Sequence, residues 1–165
     1  MLIQLLALGF APQKQIELPN KSVHKLIGKG PPVVFSSGLY GTMPSLMYNQ
    51  LLDSLKKKFT IILPNNKPIT QKTIGDITKV LNVDNVGFLS HSSIDPGILE
   101  SEFIKKAVCI DPVSLPSVGF PQIKQYQVQP DIDVLVIKTT KSQEADIPFI
   151  PEGFNLEIQN AYDIE

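Results

Sequence analysis

Ser92 is the residue of this chain best placed for covalent chemistry. It lies in Val86-Gly87-Phe88-Leu89-Ser90-His91-Ser92-Ser93-Ile94, where an apolar run suited to a buried parallel strand stops at a small-His-Ser-small turn. A helix-like segment follows. That is the layout of a nucleophile elbow, a tight strand-to-helix turn that lifts a serine hydroxyl above a sheet. A serine hydroxyl at its free pKa is nearly inert. It needs a neighbouring base to take its proton and an acid to orient that base. The two histidines are poor bases for it. His91 adjoins Ser92, its ring cannot easily reach back to the neighbouring hydroxyl, and it reads as a supporting residue. His24 precedes the core strands and reads as a non-catalytic surface residue. No histidine follows Ser92.

A turn of this kind has to be carried by a sheet. The first 30 residues read as two or three edge strands, over 2–10, 14–18 and 23–27. Pro31-Pro32 introduce a short apolar strand, Val33-Val34-Phe35-Ser36. A helix is expected over 44–57, with Leu46, Met47, Leu51 and Leu55 on one face and Pro44 in its first turn. Lys56 to Lys58 read as its solvated C-terminus. A strand over 59–63, a second amphipathic helix over 69–81 and a strand over 86–89 come next. A short helix over 96–105 and strands over 107–110, 134–137 and 156–164 complete the pattern. Continuous apolar strands alternating with helices argue a mostly parallel α/β sheet covered on both faces, with antiparallel edge strands at the N-terminus. Right-handed crossovers place the strand C-termini on one edge, where sites in such folds usually lie.

The order strand, Ser37-Gly38-Leu39-Tyr40-Gly41, helix, strand, helix, strand, Ser90-His91-Ser92-Ser93 resembles the α/β-hydrolase superfamily from about Val33 onward. The resemblance implies that Ser92 is the nucleophile and that the backbone amides of Leu39 and Ser93 form the oxyanion hole. It also implies an acid at Asp111, because Ile110-Asp111-Pro112-Val113 is similar to the aspartate segment of chlorophyllases and platelet-activating-factor acetylhydrolases. Glu144 and Asp146 are the alternative acids, after the next strand. Pro148-Phe149-Ile150-Pro151-Glu152-Gly153-Phe154-Asn155 resembles the chlorophyllase region that precedes the histidine strand.

The sequence departs from the family pattern at three points: Ile94, Asp95-Pro96 and the absence of a histidine after Ser92. Ser90 is small enough to be tolerated two positions before the nucleophile. Ile94 stands where the family has a small residue, and its β-branch disfavours close approach of strand and helix. Asp95-Pro96 looks like an N-cap with proline in the first turn, which starts the helix a full turn late. The family's histidine lies just beyond the last strand. The chain therefore reads as a single domain over 1–165, incomplete at its C-terminus and cut before its base; a scaffold that has naturally lost the base is the alternative.

Composition excludes other chemistries. The net charge of −1 gives no field for nucleic acid or anionic membrane. All 15 basic residues are lysine, so no guanidinium fork is present for phosphate. Lys, Asn and Ile in quantity without Arg fit an AT-rich genome such as a viral one. Two histidines and a single cysteine, Cys109, give no metal-ligand pattern, and no cofactor is expected. Cys109 reads as a buried, inert thiol. Gly28-Lys29-Gly30 lacks phosphate-loop spacing and reads as a plain turn. The apolar N-terminus has no basic region and is too short to span a bilayer, so cytosolic residence is the default. The expected activity is weak or absent ester hydrolysis, acting on a small ester or hydrophobic molecule. A non-catalytic binding module is the rival. An uncovered last strand predicts pairing at the sheet edge and a homodimer.

Overall fold

The apolar runs assemble into one sheet of eight strands. The computed structural model of the chain describes residues 14–37, 45–64, 69–93, 96–113, 132–139 and 155–161. The strands are β1 (Lys14–Glu17), β2 (Val23–Gly28), β3 (Pro32–Ser36), β4 (Thr60–Leu63), β5 (Val86–Ser93), β6 (Ile104–Val113), β7 (Asp133–Thr139) and β8 (Asn155–Ala161). They lie in the order β1-β2-β4-β3-β5-β6-β7-β8. β1 pairs with β2 and β2 with β4 antiparallel, and every other pairing is parallel. The mostly parallel α/β architecture with antiparallel edge strands at the N-terminal side is as expected.

Helix α1 (Asn49–Leu55) and helix α2 (Gln71–Leu81) cover opposite faces. The period of two along each strand decides which residue meets which helix. Val34, Ile62, Phe88, Ala107 and Cys109 share a cluster with Ile74 and Ile77 of α2. The alternate residues Phe35, Ile61, Leu63 and Leu89 share a second cluster with Leu52 of α1. Ile74 and Ile77 are fully buried, and each contributes about 1.5–3 kcal/mol of transfer free energy. A capping box opens α2: the Thr70 hydroxyl accepts from the Thr73 amide, and the Thr73 hydroxyl accepts from the Thr70 amide. Asn82, left-handed at φ 52°, closes it.

Two expected helices are shorter in the structure. The segment expected as a helix over 44–57 is a 3₁₀ turn, Ser45–Tyr48, followed by α1, which ends at Leu55. The segment expected as a helix over 96–105 holds a single 3₁₀ turn, Pro96–Glu100. β6 begins at Ile104, so the crossover from β5 has too few residues for a full helix and its two connections. The chain turns back at once instead. The Ile104 amide donates to the Ser101 carbonyl, and the Val86 amide donates to the Phe103 carbonyl, closing β6 onto β5. The expected strand over 2–10 lies outside the described residues.

The order of strands reverses at β3. β4 lies on one side of it and β5 on the other. The C-terminal ends of β3 and β5 therefore flank a switch point, the usual place for a site in an open α/β sheet.

Candidate active site

β3 ends at Ser36 and β5 ends at Ser93, and the register aligns Phe35 with Leu89 and Ser36 with Ser90. Ser36 and Ser37 are buried at the end of β3. Ser92 follows on β5 with φ 63°. A left-handed backbone at a non-glycine residue is uncommon and costs about 1–2 kcal/mol. The pairing with β6 explains how it is accommodated. His91 pairs with Ile110 and Ser93 with Val113, so Asp111 and Pro112 together oppose Ser92 alone. This two-against-one irregularity makes β6 the bulged strand, opposite the Ser92 bend.

The turn is not the one expected in every respect. The strand expected to stop at Leu89 continues through Ser93, and the sharp backbone at Ser92 sits inside it. Only the 3₁₀ turn Pro96–Glu100 follows. The late helix start anticipated from Asp95-Pro96 is thus realised as a single turn, which aims little dipole at the Ser93 amide.

His91 does not stand alone. Its Nδ1 forms a hydrogen bond of 2.9 Å with Tyr48 Oη. The Tyr48 ring meets the His91 ring edge-on at 5.5 Å and the Phe35 ring edge-on at 4.9 Å. Tyr48 thereby spans the ends of β3 and β5. Sequence reasoning passed over it. Its only signal is a half-buried aromatic at the entry to α1, just after the loop that follows β3.

Beneath Ser92, Ser90 is fully buried and its Oγ meets no partner at hydrogen-bond geometry. Ser90 is in register with Cys109. Burial pushes the Cys109 thiol above its ordinary value, and the nearby Ser90 hydroxyl offsets part of the rise. Cys109 is buried, as its apolar neighbours predicted.

The other candidates divide. The backbone of Asp111 lies in β6 beside the Ser92 bend, and the backbone of Ser93 closes β5. Leu39, Glu144 and Asp146 lie outside the described residues. His24 corrects the expectation of a surface histidine: it is 2% exposed on β2. The Asn20 side-chain Oδ1 accepts from both the amide and the hydroxyl of Ser22. With its proton committed there, Ser22 Oγ accepts from His24 Nε2 at 3.0 Å. A local turn thus draws the ring inward. Gly28 and Gly30 have φ 85° and 133°, and a Cβ on either would collide with backbone between Lys56 and Phe59. Only glycine fits, which makes this segment the plain turn it was read as. Among the described residues, no group of three His, Cys, Asp or Glu side chains is arranged to hold a metal ion. No helix among them is long and apolar enough to cross a membrane.

Comparison with solved structures finds this architecture in α/β-hydrolases. A hydrolase from Pseudomonas aeruginosa superposes with a TM-score of 0.60 at 12% identity, over 92% of this chain and 91% of that one. A structure described among novel epoxide hydrolases of the α/β-hydrolase superfamily, from metagenomes of hot environments, gives 0.57 at 12% identity, over 92% and 91%. Naproxen esterase from Bacillus subtilis gives 0.57 at 12% identity, over 92% and 83%. No family model matches the sequence, and no curated protein matches it. The chain has the α/β-hydrolase fold.

Proposed function

We propose that this chain is related to serine carboxylic-ester hydrolases of the chlorophyllase, lipase or platelet-activating-factor acetylhydrolase type, with Ser92 in the position of the nucleophile. The observation that carries the reading is the left-handed backbone of Ser92, φ 63°, at the C-terminal end of a parallel strand beside the switch point. Lys21 and Asn82 share such a φ in a turn and at a helix end, whereas Ser92 has it inside a strand, where backbone strain marks candidate functional positions.

In this reading Ser92 Oγ attacks an ester carbonyl and its proton passes to a base. The amides of Leu39 and Ser93 hold the oxyanion, each worth about 3 kcal/mol where such donors are well aimed. The alcohol then leaves with the proton, and water releases the acyl group. Asp111, whose backbone adjoins the bend, is the acid that orients the base. Glu144 and Asp146 are its alternates. No histidine follows Ser92 in these 165 residues. A positioned base contributes roughly 10²–10⁴ in rate, so the chain by itself turns over very slowly. The ligand is a small ester or hydrophobic molecule.

One observation favours a second reading, a binding module that keeps the sheet without catalysis. β5 continues through Ser93, and a single 3₁₀ turn replaces the helix that would polarise its amide. A fluorophosphonate probe with peptide mapping separates the two. The hydrolase reading expects slow labelling confined to Ser92 and lost in Ser92→Ala. Equal labelling of several serines, with no preference for Ser92, leaves the module.

A further inference from the structure

We infer that Tyr48 is a positioning residue that holds the reactive serine in its strained backbone through His91. The inference rests on Ser92 being the reactive position, but its first readout does not depend on reactivity. Tyr48 and His91 are 43 residues apart in sequence and meet at 2.9 Å. The same ring packs edge-on against Phe35, in the buried end of β3. One side chain therefore ties Phe35 near the end of β3 to the residue immediately before Ser92.

The mechanics follow from the backbone. Two holds flank Ser92: pairing of Ser93 with Val113 on one side, and pairing of His91 with Ile110 on the other. A left-handed residue between paired neighbours tends to relax toward extended backbone unless both sides are fixed. The β5–β6 pairing is irregular in this very place, with a register shift between His91 and Ser93. Tyr48 supplies a hold that does not use the ladder. It fixes the His91 ring by a directional bond and an aromatic contact, and so anchors the residue from which the chain enters the bend. From the 3₁₀ turn before α1, Tyr48 links Phe35 of β3 to His91 of β5.

The test compares Tyr48→Phe, which keeps the ring and removes the hydroxyl, with His91→Phe and His91→Asn. Asparagine can still hydrogen-bond the phenol, so it serves as the rescue. Amide hydrogen exchange at Ser92 and Ser93 is read beside that of Ile77 in α2. We expect exchange at the bend to quicken about fivefold in Tyr48→Phe and in His91→Phe, the effect of losing one ordinary hydrogen bond. Exchange at Ile77 is expected to move far less, and His91→Asn to restore most of the protection. Exchange at the bend that is unchanged, or that rises only in step with Ile77, overturns the inference. If Tyr48→Phe does not fold, the His91 pair decides alone: equal exchange in His91→Phe and His91→Asn overturns it. Labelling of Ser92 by a fluorophosphonate is the second readout, expected to slow about tenfold in Tyr48→Phe, since small misplacements of a reacting atom are costly. No labelling of the wild type with faster exchange in the variants sinks the hydrolase reading and leaves the positioning role standing.

Discussion

Tyr48 Oη lies 2.9 Å from His91 Nδ1, across the gap where the strand order turns back at β3. The bond is part-buried, so removing one partner exposes the other to incomplete solvation. Tyr48→Phe is expected to lower stability by about 1 kcal/mol in urea unfolding, with the m-value unchanged. No loss of stability would mean that water replaces the bond freely.

The backbone at Ser92 reverses a familiar preference. In regular structure alanine is favoured over glycine by about 0.5–1 kcal/mol, because glycine has more freedom to lose. At φ 63° a Cβ is strained, so Ser92→Gly is expected to equal or exceed Ser92→Ala in stability. Matched denaturant curves check this. A clear advantage for Ser92→Ala would show that the bend relaxes to extended backbone in solution.

The two-faced core gives a third prediction. Ile77 is 0% exposed in the cluster beneath α2, while Val80, on the same helix, is 41% exposed. Ile77→Ala is expected to cost about 2–5 kcal/mol through lost burial and a cavity. Val80→Ala should stay within about 0.5 kcal/mol. Thermal melts of the two variants should separate widely; similar melting temperatures would contradict the packing described.

Cys109 provides a pH prediction. Its thiol is raised in the folded state by burial, whereas in the unfolded chain it titrates near the usual pKa of about 8.5. Above that value the unfolded chain gives up the proton and the folded chain keeps it. Stability is therefore fully present below about pH 8.5 and declines as pH rises toward the folded value. Cys109→Ala should remove that part of the decline. The native thiol should also resist an aromatic disulfide reagent until the protein is unfolded.

Much of the fold was legible because buried parallel strands need uninterrupted apolar residues. Val33 to Phe35, Ile61 to Leu63 and Val86 to Leu89 show it directly. α2 was legible from Ile74, Ile77 and Leu81 at helical spacing. What the sequence hid was decided by contacts across the sheet. Lys105 and Lys106 mask the start of β6, so the segment before it read as a helix that the short crossover does not accommodate. His24 read as a surface residue because its burial depends on the Asn20–Ser22 turn. A turn at Ser92 was visible in the sequence, but its left-handed φ and the bulge of β6 opposite it show only in the paired strands. Tyr48 has its partner 43 residues away, and no local pattern announces it.

The proposal that Ser92 is a nucleophile is tested most directly by chemical rescue with imidazole. The rate of Ser92 modification by a fluorophosphonate is measured with increasing free imidazole, using Ser92→Ala as the blank. A vacant base position predicts slow labelling that rises with imidazole by roughly tenfold or more, since a general base is worth 10²–10⁴ when positioned. Fast labelling without imidazole, or a slow rate that imidazole leaves unchanged, would contradict the account.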